Sequence, residues 1–111
     1  MSVYVPEQGH IIWLDFDPSS GSEIMKRRPA IVITKKIFNA HTGFAFVAPI
    51  TSTERGNKFE LKLPKQCKTQ GSILLYQLKS VDFKARQAKK IELCPKASLE
   101  QVLSIARVIL S

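Results

Sequence analysis

Histidine and cysteine are scarce in this chain, with two of each in 111 residues. His10 and His41, like Cys67 and Cys94, stand far apart with none of the close spacing that metal ligands need, so no zinc centre and no cofactor are expected. Two lone thiols do not make a disulfide scaffold, and a reducing cytoplasm is the expected compartment. No apolar run approaches the roughly 20 residues of a membrane span. Met1–Gln8 has neither the basic start nor the apolar stretch of a secretory leader. Internal repeats, linkers and low-complexity segments are missing too, which leaves a single domain over residues 1–111.

Lysine and arginine are absent from the first 25 residues, where Glu7, Asp15, Asp17 and Glu23 give a charge of −4 against +8 for the whole chain. The remaining residues therefore carry a surplus of +12. Such a surplus on a small domain points to a polyanionic partner, with plain solubility as the bland alternative. At 44% hydrophobic and 23% charged, the chain has the balance of a folded protein and not of a disordered one.

Periodicity predicts strands at His10–Phe16, Ala30–Thr34, Phe44–Ile50 and Phe59–Leu63, a longer buried strand at Ser72–Leu78, and short ones near Ser80–Phe83 and Ile91–Leu93. The first is apolar on both faces, as a central or barrel strand would be. Lys35–Gly43 reads as a connection with room for one helical turn around Ile37 and Phe38. Ser98 and Gln101 form a capping-box pattern ahead of Leu99, Val102, Leu103, Ala106, Ile109 and Leu110, a core-facing stripe on a C-terminal helix. The expected fold is α+β, mainly β: a small barrel of curved antiparallel strands with an amphipathic helix packed on it.

The stretch D-P-S-S-G-S-E-I-M-K-R-R-P at 17–29 predicts an irregular loop that opens into a strand, with Pro29 at the strand's first position. It delivers Arg28 to the sheet edge, where a planar guanidinium suits bidentate binding of a phosphate. If the second and third strands are antiparallel neighbours, Thr34 lies opposite Ala45 and the same register puts Arg28 opposite Thr51. Ser52 and Thr53 add hydroxyls there, and Glu23 and Asp17 are the nearest proton acceptors. This set suits attack of an RNA 2′-hydroxyl on its own phosphate. Each member also has a dull reading: Arg28 a solvated base, Thr51 a turn cap, Glu23 a loop acid. Asp15 and Asp17 are too few carboxylates for a metal nuclease, and His10 reads as structural.

On these residues the sequence resembles the MazF/PemK/Kid toxins of bacterial toxin–antitoxin modules. The marks are Y-V-P-E-Q-G-H-I-I-W-L-D-F-D-P-S-S-G-S-E at 4–23, R-R-P-A-I-V-I at 27–33, F-N-A-H-T-G at 38–43, V-A-P-I-T-S at 47–52, Q-L-K-S at 77–80 and K-A-R at 84–86. The resemblance implies an SH3-like barrel, a homodimer, and metal-independent cleavage of single-stranded mRNA that leaves a 2′,3′-cyclic phosphate and a 5′-hydroxyl and arrests growth. It also implies a MazE-like antitoxin whose acidic, disordered C-terminal segment orders on the toxin. Arg28 and Thr51 correspond to the family's usual catalytic residues and Glu23 to an acid implicated in some members. Asp17, Ser52, Thr53, Arg55, Lys58, Tyr76, Gln77, Lys79 and Arg86 are the expected RNA-binding residues.

One departure concerns the base. Many relatives carry an acid where this chain has Tyr76, and a phenol with a reference pKa near ~10 is a poor base at neutral pH. Three options stay open: Glu23 takes the proton, Arg28 acts in a perturbed site, or activity is weak. The rival classes are a CcdB-like toxin that grips gyrase without cutting anything, and a degenerate member that binds RNA only.

Overall fold

The computed structural model describes residues 3–53 and 55–111, so Met1, Ser2 and Glu54 of the polar loop lie outside it. The strands are β1 (His10–Asp15), β2 (Arg27–Val32), β3 (Phe44–Thr51), β4 (Glu60–Lys62), β5 (Ser72–Leu74), β6 (Lys79–Asp82) and β7 (Lys89–Leu93). The helices are α1 (Lys36–Thr42) and α2 (Lys96–Leu110), with a 3-10 turn at Leu75–Gln77 between β5 and β6. All pairs are antiparallel, in the order β4-β5-β3-β2-β1-β7, with β6 also on β3. The sheet is a strongly curved antiparallel one and the fold is mainly β, as expected. Among the described residues no helix is long and apolar enough to cross a membrane.

Strand alternation splits the core in two. Ile11, Ile31, Ile33, Ala48, Ile50 and Ile73 cluster with Val102 and Ala106 of α2, while Ile12, Leu14, Phe16, Ala30, Val32, Ala45 and Val47 form the second cluster, on the opposite face. A fully buried isoleucine such as Ile11 or Ile31 contributes about 1.5–3 kcal/mol by leaving water. Both faces of β1 are thus apolar because it is central, flanked by β2 and β7.

Several sequence expectations need correcting. β2 starts at Arg27, three residues early, and ends at Val32, so Pro29 is not its first residue. The Phe16 N–H donates to Lys26 O, so even-numbered β2 residues bond β1 and odd ones face β3. Pro29 is odd, and its missing N–H falls where the β2–β3 ladder stops, one step beyond Ala30–Pro49. Pro49 in turn lies in the gap where β3 changes partner from β6, last paired at Val47, to β5, first paired at Ile50. That change forces the run Ser72–Leu78 to bend, so β5 ends at Leu74 and the 3-10 turn follows.

The helices differ from expectation as well. α2 starts at Lys96 directly after Pro95, whose carbonyl accepts the Leu99 N–H, so Ser98 sits buried inside the first turn and caps nothing. Leu110 is exposed, and Ile105 packs on the core as the stripe's further member. α1 makes two turns although Ile37 and Phe38 are exposed and only Asn39 is buried. Gly43 closes it at φ 75, a left-handed position that suits a residue without Cβ.

Asn39 is what holds α1 down. Its Nδ2 donates to Pro6 O (2.8 Å) and Thr34 O (3.1 Å), and its Oδ1 accepts from the Thr34 hydroxyl (2.6 Å). His10 is structural: its Nδ1 receives the Glu7 N–H and pairs with the Tyr4 hydroxyl, and burial first, then the charge of Lys90, lower its pKa. Substituting Asn39→Ala should remove three hydrogen bonds, one to the buried Pro6 carbonyl and two to part-buried Thr34, and cost about 1–3 kcal/mol, measured as a lower urea midpoint at unchanged m-value.

Candidate active site

The β1–β2 loop is irregular in shape but not loose. Asp17 Oδ1 accepts the N–H of Lys26 (2.9 Å), which sits at φ 70 just before β2. Arg86 Nη1 donates to the carbonyls of Asp15 (3.2 Å) and Asp17 (3.0 Å). Arg27 is held between Asp15 Oδ1 (3.0 Å) and Gln87 O (2.9 Å). From the far side Gln77 accepts the Ile24 N–H at 2.8 Å and reaches Ser22 O at 3.4 Å, as Arg55 Nη1 also does. Ile24 itself is buried in the second core cluster, with Phe16, Leu14 and Ala30.

Arg28 differs from its basic neighbours. Its Nε donates to Met25 O (2.9 Å), which aims the guanidinium, while its terminal nitrogens bond no described residue. The observed β2–β3 register pairs Ile31 with Ala48 and Val32 with Val47, and its continuation puts Arg28 opposite Thr51, the placement read from sequence. By alternation both fall on the sheet face of Ala30 and Val47, opposite the one that α2 covers. Thr51 is buried at 5% exposure, and its Oγ1 accepts the Thr53 N–H at 3.3 Å. The hydroxyl therefore does cap a turn, and its own proton stays available for a ligand.

A cavity of about 200 Å³ is lined by Phe16, Glu23, Ile24, Pro49, Tyr76, Gln77, Leu78 and Lys79. It joins the β1–β2 loop to the 3-10 turn. Arg28 and Thr51 do not line it; Pro49, two residues before Thr51 on the same face, connects the two places. Glu23 Oε1 accepts both the N–H and the hydroxyl of Ser20 (3.1 Å each). Those two bonds, helped by the charge of Lys79, hold the carboxyl below the ordinary glutamate value. Tyr76 is half exposed at the cavity wall, and Ser52, Thr53 and Lys58 are exposed on the adjoining β3–β4 loop.

The structure thus brings Glu23, Tyr76, Gln77 and Lys79 together around one cavity, and Arg28 and Thr51 are not among its lining residues. Asp17, Gln77 and Arg86, expected on RNA, have their polar groups on the loop backbone instead. Gly71 went unnoticed in the sequence. At φ 125 it packs so closely that a Cβ there would stand 2.3 Å from Thr51 O. Its segment is tied down by Glu92, whose carboxylate accepts the N–H groups of Lys68 (3.1 Å) and Thr69 (2.7 Å). The G-S dipeptide before a buried strand was the only hint of such a close approach.

A family model described as PemK-like, MazF-like toxin of type II toxin-antitoxin system matches residues 7–110. The chain belongs to this toxin family. It is 41% identical over 90 residues to the endoribonuclease toxin MazF of Escherichia coli K12, covering 81% of this chain and 80% of that one. It is 31% identical over 109 residues to the endoribonuclease PemK of Escherichia coli, covering 95% and 82%. Among solved structures, MazF of Deinococcus radiodurans superposes with a TM-score of 0.91 at 34% identity, covering 97% of this chain and 98% of that one. A MazE–MazF complex from the same organism gives 0.85 at 31% identity, covering 98% of each chain.

In this PemK/MazF-like toxin the support beneath Thr51 is open to test. Gly71→Ala should lower the unfolding free energy by about 1–3 kcal/mol through strain and contact with the Thr51 carbonyl. Urea unfolding and the Thr51 methyl resonance, which should shift while α2 signals stay in place, check this.

Proposed function

We propose that the protein is the toxin of a type II toxin–antitoxin module and a metal-independent endoribonuclease acting on single-stranded mRNA. The observation that carries this reading is the family match over residues 7–110, and a β2–β3 register whose extension past Ala30–Pro49 would set Arg28 level with Thr51 supports it. The Arg28 fork grips two non-bridging oxygens of the scissile phosphate and stabilises the extra charge of the phosphorane. Thr51 donates its free proton to the same phosphate. Glu23, ionised at neutral pH, takes the 2′-hydroxyl proton as the new 2′-O–P bond forms. The P–O5′ bond then breaks, leaving a 2′,3′-cyclic phosphate, and the departing 5′-oxygen gains a proton from solvent.

In this reading Tyr76, an exposed aromatic, stacks on a base, and Ser52, Thr53, Arg55, Lys58 and Lys79 hold the strand. The net charge of +8 supports the same partner, and equally an antitoxin with an acidic tail that competes for the groove. Relatives have been crystallised with MazE, and we extend that pairing to this chain, together with the family's homodimer.

Purified protein should cut a long single-stranded RNA at discrete positions in excess EDTA. Arg28→Ala should slow cutting by about 10²–10³-fold while melting stays close to wild type, because the side chain lies outside the core. Absence of cutting together with inhibition of gyrase would favour the binding-toxin class. RNA affinity should fall steeply with salt, by about 0.7 log units per log unit of salt for each phosphate neutralised.

The pH profile follows from Glu23. A carboxyl held below its ordinary value stays ionised until pH falls past that value, so the acid limb of kcat/KM should lie below the normal glutamate range. Single-turnover rates between pH 4 and 8 read this out. An acid limb near neutrality would exclude Glu23 as the base.

A further inference from the structure

We infer that Gln77 is a positioning residue that fixes Glu23 by gripping the loop on both sides of it. The inference rests on the endoribonuclease reading above. Gln77 Oε1 accepts the Ile24 N–H at 2.8 Å and its Nε2 donates to the Ser22 carbonyl at 3.4 Å. Residues 22 and 24 are the immediate neighbours of Glu23, so one planar amide sets the backbone that carries the carboxylate. A carboxamide is the side chain that presents a donor and an acceptor in a single plane, and asparagine is one methylene too short to keep this reach.

The grip comes from a firm base. Gln77 ends the 3-10 turn whose Leu75 has zero exposure, and the chain then enters β6 at Lys79. Ile24, on the other side, is buried at 5% exposure, so its N–H needs a partner and Gln77 supplies it. The longer bond to Ser22 O is seconded by Arg55 Nη1 on the same oxygen at 3.4 Å. Glu23 adds its own local anchor at Ser20, which orients the carboxyl once the backbone is set. A loop acid that looks free in sequence is therefore tied to the core of the sheet through Gln77.

A residue that touches RNA directly and one that acts through Glu23 differ in one measurable respect. The second has nothing left to do once Glu23 is removed. Single-turnover cleavage of single-stranded RNA by the full chain should be compared for wild type, Gln77→Leu, Glu23→Gln and the double variant. We expect Gln77→Leu to lower kcat about 10–100-fold, as misplacement of a reacting group does, with KM within about twofold. The double variant should cut no more slowly than Glu23→Gln alone.

Multiplying effects in the double variant, or a raised KM at unchanged kcat, would overturn the inference in favour of RNA contact. A Glu23→Gln protein that cuts at the wild-type rate would overturn it too. Gln77→Glu keeps the acceptor for Ile24 but loses the donor for Ser22. It should give an intermediate rate, and it serves should Gln77→Leu fold poorly. If the wild-type protein cuts no RNA, the endoribonuclease reading fails, and amide exchange still decides the grip itself. Ile24 N–H should exchange at least about tenfold faster in Gln77→Leu while core amides are unchanged; an unchanged rate at Ile24 refutes it.

Discussion

The β2–β3 ladder, and where it is forced to stop, is the constraint on which the rest of the site depends. Pro29 offers no N–H to β3, and Pro49 offers none in the gap between β6 and β5. The two strands therefore separate at their ends without stranding a backbone donor. What they leave behind is a sheet edge with Arg28 on one strand and Thr51 on the other. Continued pairing would have drawn β3 along β2 and left no opening for the β1–β2 loop to turn toward the 3-10 segment.

Around that edge, charged and polar side chains mostly bond the backbone instead of each other. Arg86, Asp17, Gln77 and Arg55 all end on carbonyl or N–H groups of the β1–β2 loop. Among the described residues the one carboxylate–guanidinium pair is Arg27 with Asp15, and both are partly exposed. Such a surface pair adds little stability. The loop's shape is better explained by many directed hydrogen bonds, each modest, which converge on residues 15–26. Among the arginines around the loop, Arg28 keeps its terminal nitrogens without a bond to any described residue.

Much of this was legible from sequence, and the reasons for the gaps are physical. Strand alternation is a local signal, so the two-faced character of β1 came through, and the β2–β3 register came through over the three pairs from Ala30–Pro49 to Val32–Val47. The family marks did the same for the fold. The position of β2 did not, because its early start depends on pairing with β1 that propensity at Arg27 and Arg28 does not signal. Helix α1 was expected as one turn around Ile37 and Phe38; its second turn and its anchor escaped because its single buried residue is a polar one, Asn39, and amphipathic spacing does not register a hydrogen-bonded hub. The corner at Leu75–Gln77 was hidden for the opposite reason. Its apolar residues look like more strand, and only the change of partner on β3 bends them. Side-chain bonds to distant backbone, such as Gln77 to Ile24 across 53 positions, leave no trace in a local pattern.

The central claim is that one phosphate is held by Arg28 and Thr51 together. The most direct test is an NMR titration with a short single-stranded RNA bearing a 2′-deoxy substitution at the cutting position, which binds but does not react. The account predicts that the Arg28 Nε–H and the Thr51 methyl shift in parallel with one affinity and show intermolecular contacts to the same nucleotide. Contacts from the two residues to different nucleotides, or a shift at only one of them at saturation, would contradict it.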